Sequence, residues 1–386
     1  MTTIKHFPVG NGDMTLIKLK DKTTILVDNH LPSDGKEDIK ALLIDSLEKN
    51  SSQIPFVDVL ILTHPHQDHV GGFHELFHIG DPDEYNDEEK QKIIANEIWV
   101  SPLVFKRASK NNSLVEDAKA FNTEARRRID LYKKIGLGKE GNRIQIITED
   151  EDGKTETITG ITHDQFSTIS IFNGKAIDKC AAKILGPFPA SKIEEEEEEQ
   201  SKNNSSIIIN FDLEGCRLLI GGDSEFAVWK LLWKEVNKGR TIKSSDLEYD
   251  ILLTPHHTSW HSLSADSISK CKEEDREPEI DSDACNALGQ MRKNAYMVSS
   301  SDAIKDDDND PPSYRAYNEY LTFKDSQGVK MKDIGHFRVT GKDEKTKKPA
   351  MICFETSPNG VRESEKKHVN DSTPRISIPS GGIRHG

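Results

Sequence analysis

Short apolar runs separated by charged stretches set the rhythm of this chain. Over the first seventy residues, Met14–Leu19, Thr23–Val27 and Val57–Thr63 are aliphatic and too short for helices, so each predicts a strand. The polar stretch Lys36–Lys49 between the last two predicts a helix. From Gly80 to Gly141 the pattern changes. An acidic loop, Asp81–Glu89, and a charged helix over Ser113–Ile135 surround one strand candidate, Glu97–Val100, and the stretch reads as an insertion. Strands resume at Arg143–Ile147, Thr168–Phe172 and Ala181–Leu185. The six glutamates Glu194–Glu199 repel one another and predict a solvated loop. Ser206–Leu213 and Arg217–Ile220 predict a hairpin turning at Glu214 and Gly215. Phe226, Trp229, Leu232 and Trp233 mark the apolar side of a helix over Ser224–Val236. Tyr249–Leu253 and Asn294–Ser299 predict two further buried strands, Ser313–Phe323 a helix, and His336–Thr340 and Ala350–Glu355 the closing strands. The organisation expected is one α/β domain over residues 1–360, with the insertion at about 80–141, an acidic loop at about 190–204, and a tail over 361–386.

Composition narrows the class. The 386 residues are 34% hydrophobic and 31% charged, with 52 Lys plus Arg against 66 Asp plus Glu, a net charge of −14. That excludes a generally basic nucleic-acid coat while leaving enough apolar blocks for a sizeable core. No apolar run approaches the roughly 20 residues that span a bilayer, and Met1–Asn11 lacks a basic segment followed by an apolar one, so no membrane association and a cytoplasmic location are expected. The five cysteines have no CxxC spacing, which points to reduced structural thiols.

The chemistry concentrates in Thr63-His64-Pro65-His66-Gln67-Asp68-His69-Val70-Gly71-Gly72, directly after the apolar strand. Three imidazoles and a carboxylate within six positions, turned by one loop at a strand end, form a ligand set suited to Zn²⁺ and related divalent ions. A histidine-rich surface loop is the plain alternative.

This segment resembles the HxHxDH motif of the metallo-β-lactamase superfamily. Gly10-Asn11-Gly12-Asp13 with the strand after it, Thr24-Ile25-Leu26-Val27-Asp28, Leu218-Leu219-Ile220-Gly221-Gly222-Asp223 and Leu252-Leu253-Thr254-Pro255-His256-His257-Thr258-Ser259 are similar to blocks of its ComEC-type competence branch. The resemblance runs from about residue 5 to about residue 340 and implies a four-layer αββα sandwich. It further implies that His64 and His66 hold one metal, Asp68 and His69 a second, that Asp223 links the two, and that His256 completes the second site. Which of His256 and His257 is the ligand stays open, the other lying beside the substrate; a packed or surface histidine pair is the plain alternative. Capping the helix after it is the plain alternative for Asp223. Asp28 either steadies a ligand imidazole or simply ends its strand.

Two departures stand out. The superfamily's third motif carries a histidine, but here the stretch reads Gly186-Pro187 and then Asn203-Asn204-Ser205-Ser206, so the first ion has fewer strong ligands; His163 is the only substitute in the region. Ser299-Ser300-Ser301 leading to Asp310-Pro311-Pro312 replaces the branch's Gly and His-Pro.

The cofactors expected are one or two divalent ions, Zn²⁺ or Mn²⁺. Two such ions, about 3.5–4 Å apart, make water nucleophilic and bind phosphoryl oxygens, so hydrolysis is the reaction implied. Asp68 would orient the nucleophile, and His257 or a second metal-bound water would protonate the leaving oxygen. The leading expectation is a phosphodiesterase acting on DNA or RNA. A small-molecule hydrolase of esters, lactones, thioesters or phosphodiesters and an inactive scaffold are the alternatives. Nucleic acid as substrate requires a local basic surface, for which Lys106, Arg107, Lys110 and Arg126-Arg127-Arg128 are candidates unless they form an ordinary solvated face. The glutamate run is a candidate acidic flap over the site.

Overall fold

A computed structural model describes residues 1–33, 35–86, 91–105, 115–194, 202–343, 345–357, 360–364 and 367–368. Lys106, Arg107, Lys110, all of the glutamate run but Glu194, and nearly all of the proposed tail lie outside these residues.

Among the described residues the strands form two large sheets, of eleven and seven strands. In the first, Thr3–His6, Thr15–Lys18 and Thr24–Val27 run antiparallel, and Thr24–Val27 then pairs parallel with Pro55–Ile61. Ile94–Val100 and Arg143–Ile147 continue the parallel order. In the second sheet, Cys180–Gly186, Ile208–Leu213 and Cys216–Ile220 are antiparallel, followed by the parallel strands Tyr249–Leu253, Met291–Ser299 and Phe337–Val339.

Side-chain alternation along each strand explains the layering. Ile25, Val27, Val59 and Ile61 meet Leu218, Ile220, Ile251, Leu253 and Val298 between the sheets. Their neighbours Leu26 and Leu60 point the other way, into a core with Phe121, Ala125 and Ile129 of the helix Glu116–Ile135. Leu219, Leu252 and Met297 likewise face Trp229 and Leu232 of the helix Phe226–Lys238. The chain is therefore a four-layer αββα sandwich. Continuous apolar runs such as Val59–Ile61 are strands buried on both faces.

Three differences from the sequence reading have physical causes. Residues 80–141 are not an appendage: Ile94–Val100 is an inner strand of the first sheet, and Glu116–Ile135 is the crossover helix that returns the chain to Arg143. The helix Lys36–Ser46 ends early because Glu48–Lys49 turns to pair with Pro55 and Phe56. The region past Gly360 begins as a strand, Gly360–Glu363, paired with Ala350–Ser357, which itself closes the first sheet against Thr3–His6. The hairpin is seen with Glu214 at φ 58° and Gly215 at φ 93°, the two positive angles of a tight turn between twisted strands. All five cysteines are free, and among the described residues no helix is long and apolar enough to cross a membrane.

Candidate metal centre

Parallel strands of both sheets end at one edge, and the chemically distinctive loops leave from those ends. Pro55–Ile61 delivers the loop carrying His64 and His66 and then the short helix Gln67–Val70 with Asp68 and His69. Cys216–Ile220 delivers Asp223 through Gly221 and Gly222, and Tyr249–Leu253 delivers the histidine pair. Gly222 has φ +50°, and a Cβ there would lie 2.9 Å from Thr63, so only glycine lets Asp223 approach the histidine loop this closely.

The approach is direct. Asp223 Oδ1 lies 2.9 Å from His69 Nε2 and 3.4 Å from His257 Nε2, while Oδ2 lies 3.4 Å from His64 Nε2. His257 Nε2 is also 3.4 Å from Asp68 Oδ2. The ligand atoms at the open side thus fall into two groups, His64–His66–Asp68–Asp223 and Asp68–His69–Asp223–His257, each within 4.8 Å and sharing both carboxylates; a third cluster, Asp13–Asp28–His69, lies behind them on the Nδ1 side of His69, where Asp28 already accepts that N–H.

Hydrogen bonding does not account for these contacts. His64 Nε2, His69 Nε2, His257 Nε2 and Asp223 Oδ1 are buried without a hydrogen-bond partner, so the groups aim at common points and not at one another. Ligand atoms about 2.0–2.2 Å from a tetrahedral divalent ion stand roughly 3.3 Å apart. The donor set and its spacing fit a divalent ion.

Charge follows the same geometry. Burial disfavours a charge on His69, but the Asp223 and Asp28 carboxylates outweigh it and hold its pKa well above the usual imidazole value. His257 is raised to about 10, burial again being overcome by Asp223. Asp223 is held well below the carboxylate range, its burial outweighed by His69, His257 and His64. For His66, burial and the neighbouring His64 outweigh the Asp68 and Asp223 carboxylates and lower it to about 4.

Residues 7–165 match the Metallo-beta-lactamase superfamily. This part of the chain is similar to that superfamily. The match and the His/Asp ligand groups agree in pointing to divalent-ion chemistry of the hydrolase type. No curated protein matches the sequence significantly. Among solved structures, CmlA, a diiron beta-hydroxylase from Streptomyces venezuelae, aligns at 10% identity over 87% of this chain and 52% of its own, with a TM-score of 0.36. The chain therefore spans about half the length of that hydroxylase. A Parabacteroides distasonis protein described as a metal-dependent hydrolase aligns at 12% identity over 87% of this chain and 92% of its own, with a TM-score of 0.33.

Several assignments made from the superfamily motifs take a different form in the folded chain. Of the histidine pair, it is His257, fully buried, whose Nε2 joins Asp68 and Asp223; His256 Nε2 stands 3.9 Å from Asp223 Oδ2 and its Nδ1 3.9 Å from Glu225. Of the two histidines that the sequence left open, it is thus His257 that enters a candidate ligand group. The cause is local: His256, His257 and Thr258 have φ of 49°, 52° and 70°, three successive left-handed residues without a glycine. Such strain persists only where the surroundings impose it. Here Thr258 Oγ1 donates to Ser299 Oγ at 2.6 Å, His256 N–H donates to Gly222 O, and His257 Nδ1–H donates to Ser300 O at 2.9 Å.

Asp223 does not cap the next helix, whose N-cap residue is Glu225. His163 pairs with Gln145 at the edge of the first sheet and enters neither ligand group. In place of the third-motif histidine, Asn204 Oδ1 accepts from Glu225 N–H at 3.0 Å, Asn203 Nδ2 donates to Glu225 at 2.8 Å, and Ser206 Oγ accepts from Asp223 N–H at 3.2 Å. This stretch clamps the Asp223 loop and supplies no imidazole.

Asp28 receives His69 Nδ1–H at 2.8 Å, Thr63 N–H at 2.8 Å and the Thr63 hydroxyl at 2.7 Å, so it steadies a ligand-group imidazole and the loop bearing it. Sequence reasoning passed over Asp13. Its carboxylate is buried beside His69 and His257. The signal was present in Gly10-Asn11-Gly12-Asp13, but nothing in the pattern showed that this turn lies beneath the histidine loop.

Proposed function

We propose that this protein is a metal-dependent phosphodiesterase acting on nucleic-acid strands. The observation carrying the reading is the pair of ligand groups that share Asp68 and Asp223. The ComEC-like blocks, from a branch associated with DNA uptake, support the substrate class.

His64, His66, Asp68 and Asp223 would hold one ion, and Asp68, His69, Asp223 and His257 the other. Bound divalent ions supply Lewis acidity toward phosphoryl oxygens and lower the pKa of water. Asp68, whose side chain is 36% exposed, faces the open side and would orient the nucleophile. His257 is fully enclosed and tied to Ser300 O, so the proton for the leaving oxygen falls to His256, whose side chain is 16% exposed.

Of the basic cluster Arg126–Arg128, Arg126 is exposed with its Nε–H on Val104 O, whereas the other two are taken up within the fold. Arg128 is buried, bonding Glu124 and the carbonyls of Ala95 and Arg143, and Arg127 forks onto Glu124. A cationic alternative is the turn carrying Lys342 and Lys347, which with Arg338 lines a cleft of about 230 Å³ alongside Tyr317 and Phe337. This turn joins the centre through Gly341, whose N–H donates to Ser301 O, next to the Ser300 carbonyl that holds His257.

The test uses metal-stripped protein reconstituted with Zn²⁺ or Mn²⁺ and two substrates, bis(p-nitrophenyl) phosphate and linear single-stranded DNA. Cleavage of both, abolished by Asp68→Ala, is expected, with the DNA rate falling steeply with salt. Hydrolysis of the small diester without loss of DNA would instead favour a small-molecule hydrolase, which the net charge of −14 and the consumed arginines also favour. No turnover of either after reconstitution would leave a scaffold.

A further inference from the structure

The two ligand groups are supported unequally from behind. His64 Nδ1 has the Thr63 hydroxyl at 3.3 Å. His69 Nδ1 has the Asp28 carboxylate at 2.8 Å, and His257 Nδ1 has the Ser300 carbonyl at 2.9 Å. Asp13 lies between these last two rings, with Oδ1 3.6 Å from His257 Nδ1 and Oδ2 3.8 Å from His69 Nδ1.

Those separations exceed a hydrogen bond, and both ring nitrogens already have closer acceptors, so Asp13 acts on the imidazoles through its charge. Its burial, with the side chain only 6% exposed, keeps that charge poorly screened.

The turn bearing Asp13 is held on three sides. Asp13 N–H donates to Asp68 O at 3.0 Å, His30 N–H donates to Asp13 O at 3.1 Å, and the Ser300 hydroxyl donates to Gly12 O at 2.6 Å. A Cβ on residue 12 would lie 2.5 Å from the His30 ring and 2.7 Å from Asp68 O, which explains the glycine. Asn11 ties the same turn to the far loop, accepting from Asp302 N–H at 2.9 Å. A buried carboxylate is thereby fixed against two imidazoles that come from different sheets.

We propose that Asp13 is a positioning residue whose charge makes the Asp68–His69–Asp223–His257 group the tighter of two ion positions. The inference rests on the metal-binding reading above. Asp28 and the Ser300 carbonyl fix the Nδ1–H tautomers and leave each Nε2 free for the ion, the Asp13 charge adds to the basicity of both rings, and losing support behind a ligand imidazole typically weakens binding about 10–100-fold. The His64–His66 group has only a hydroxyl in that place and no third-motif imidazole, so it is the weaker position.

The experiment is calorimetric titration of the metal-stripped protein with Zn²⁺ alone, comparing wild type with Asp13→Asn and Asp13→Ala. Thermal melting confirms that each variant is folded. Two binding events of unequal affinity are expected in wild type. Both variants should weaken the tighter event about tenfold or more and leave the weaker one in place, because asparagine keeps the shape and loses the charge. A cobalt titration, read by its visible absorption, should show the same loss in the first equivalent. Wild-type affinity in Asp13→Asn, or an equal loss in both events, would overturn this inference and leave the proposed function standing. No ion uptake by wild type would overturn the function itself.

Discussion

At the residue scale, the centre depends on buried carboxylates whose partners are specific. Asp28 illustrates this, because one side chain satisfies His69 Nδ1–H and both donors of Thr63. Asp28→Ala should lower Zn²⁺ affinity about 10–100-fold in a chelator competition, and the stranded Thr63 N–H should cost about 1–3 kcal/mol of stability in denaturant titration. Asp28→Asn, which tolerates the observed φ of 57°, should lose ion affinity with a smaller loss of stability. His6 gives a separate pH signature. It is fully buried against Thr15 and Phe354, and burial lowers its pKa from 6.5 to about 4 despite the nearby Asp13. Between those values the unfolded chain takes up a proton that the folded chain refuses, so this contribution is complete above pH 6.5 and is lost as pH falls toward 4. The loss reaches about 3 kcal/mol at full extent. Stability measured at pH 7.5 and 5 should therefore fall less in His6→Asn than in wild type. The HxHxDH cluster was legible because its members sit on one short loop. Which of His256 and His257 turns toward Asp223 was not, since it follows from three left-handed residues held by Ser299, Ser300 and Gly222.

At the scale of elements, the helix Glu116–Ile135 shows how far charge pattern misleads. Its arginines read as a basic surface, yet Glu124 and Arg128 are almost completely buried and lock the helix to the carbonyls of Ala95 and Arg143. Gly80 N–H also donates to Glu124. Glu124→Ala strands a buried guanidinium and should cost about 3–5 kcal/mol in chemical denaturation, whereas Lys133→Ala on the exposed face of the same helix should stay within about 0.5 kcal/mol. Equal effects would show that the lock is not structural. Strands were read well wherever a run is apolar on both faces, as at Tyr249–Leu253. The short Thr3–His6 carries too weak a pattern to be read, and it is a strand because Thr15–Lys18 and Ala350–Ser357 flank it.

For the whole molecule, ion binding and stability are linked. An ion that binds only the folded chain adds about 2.7 kcal/mol at a concentration 100 times its Kd. Metal-stripped protein should thus melt several degrees below protein saturated with Zn²⁺, and His64→Ala should reduce the difference. Charge on this scale opposes long anions, so removing Lys342 and Lys347 together as glutamines should weaken single-stranded DNA binding and flatten its salt dependence while leaving hydrolysis of the small diester unchanged. Unaltered DNA binding would exclude that turn as the contact surface.

The chain's own order of apolar runs and its single histidine-rich loop determined the sandwich and the chemical class, because strand burial and ligand type are local properties. Tertiary structure decided the rest. It brought His257 beside Asp68 and Asp223, set Asp13 behind two rings from different sheets, used Asn203–Ser206 as a clamp and tied Arg127 and Arg128 to Glu124. Each of these depends on groups far apart in sequence meeting in a low-dielectric interior, where only the packed fold fixes which charge faces which.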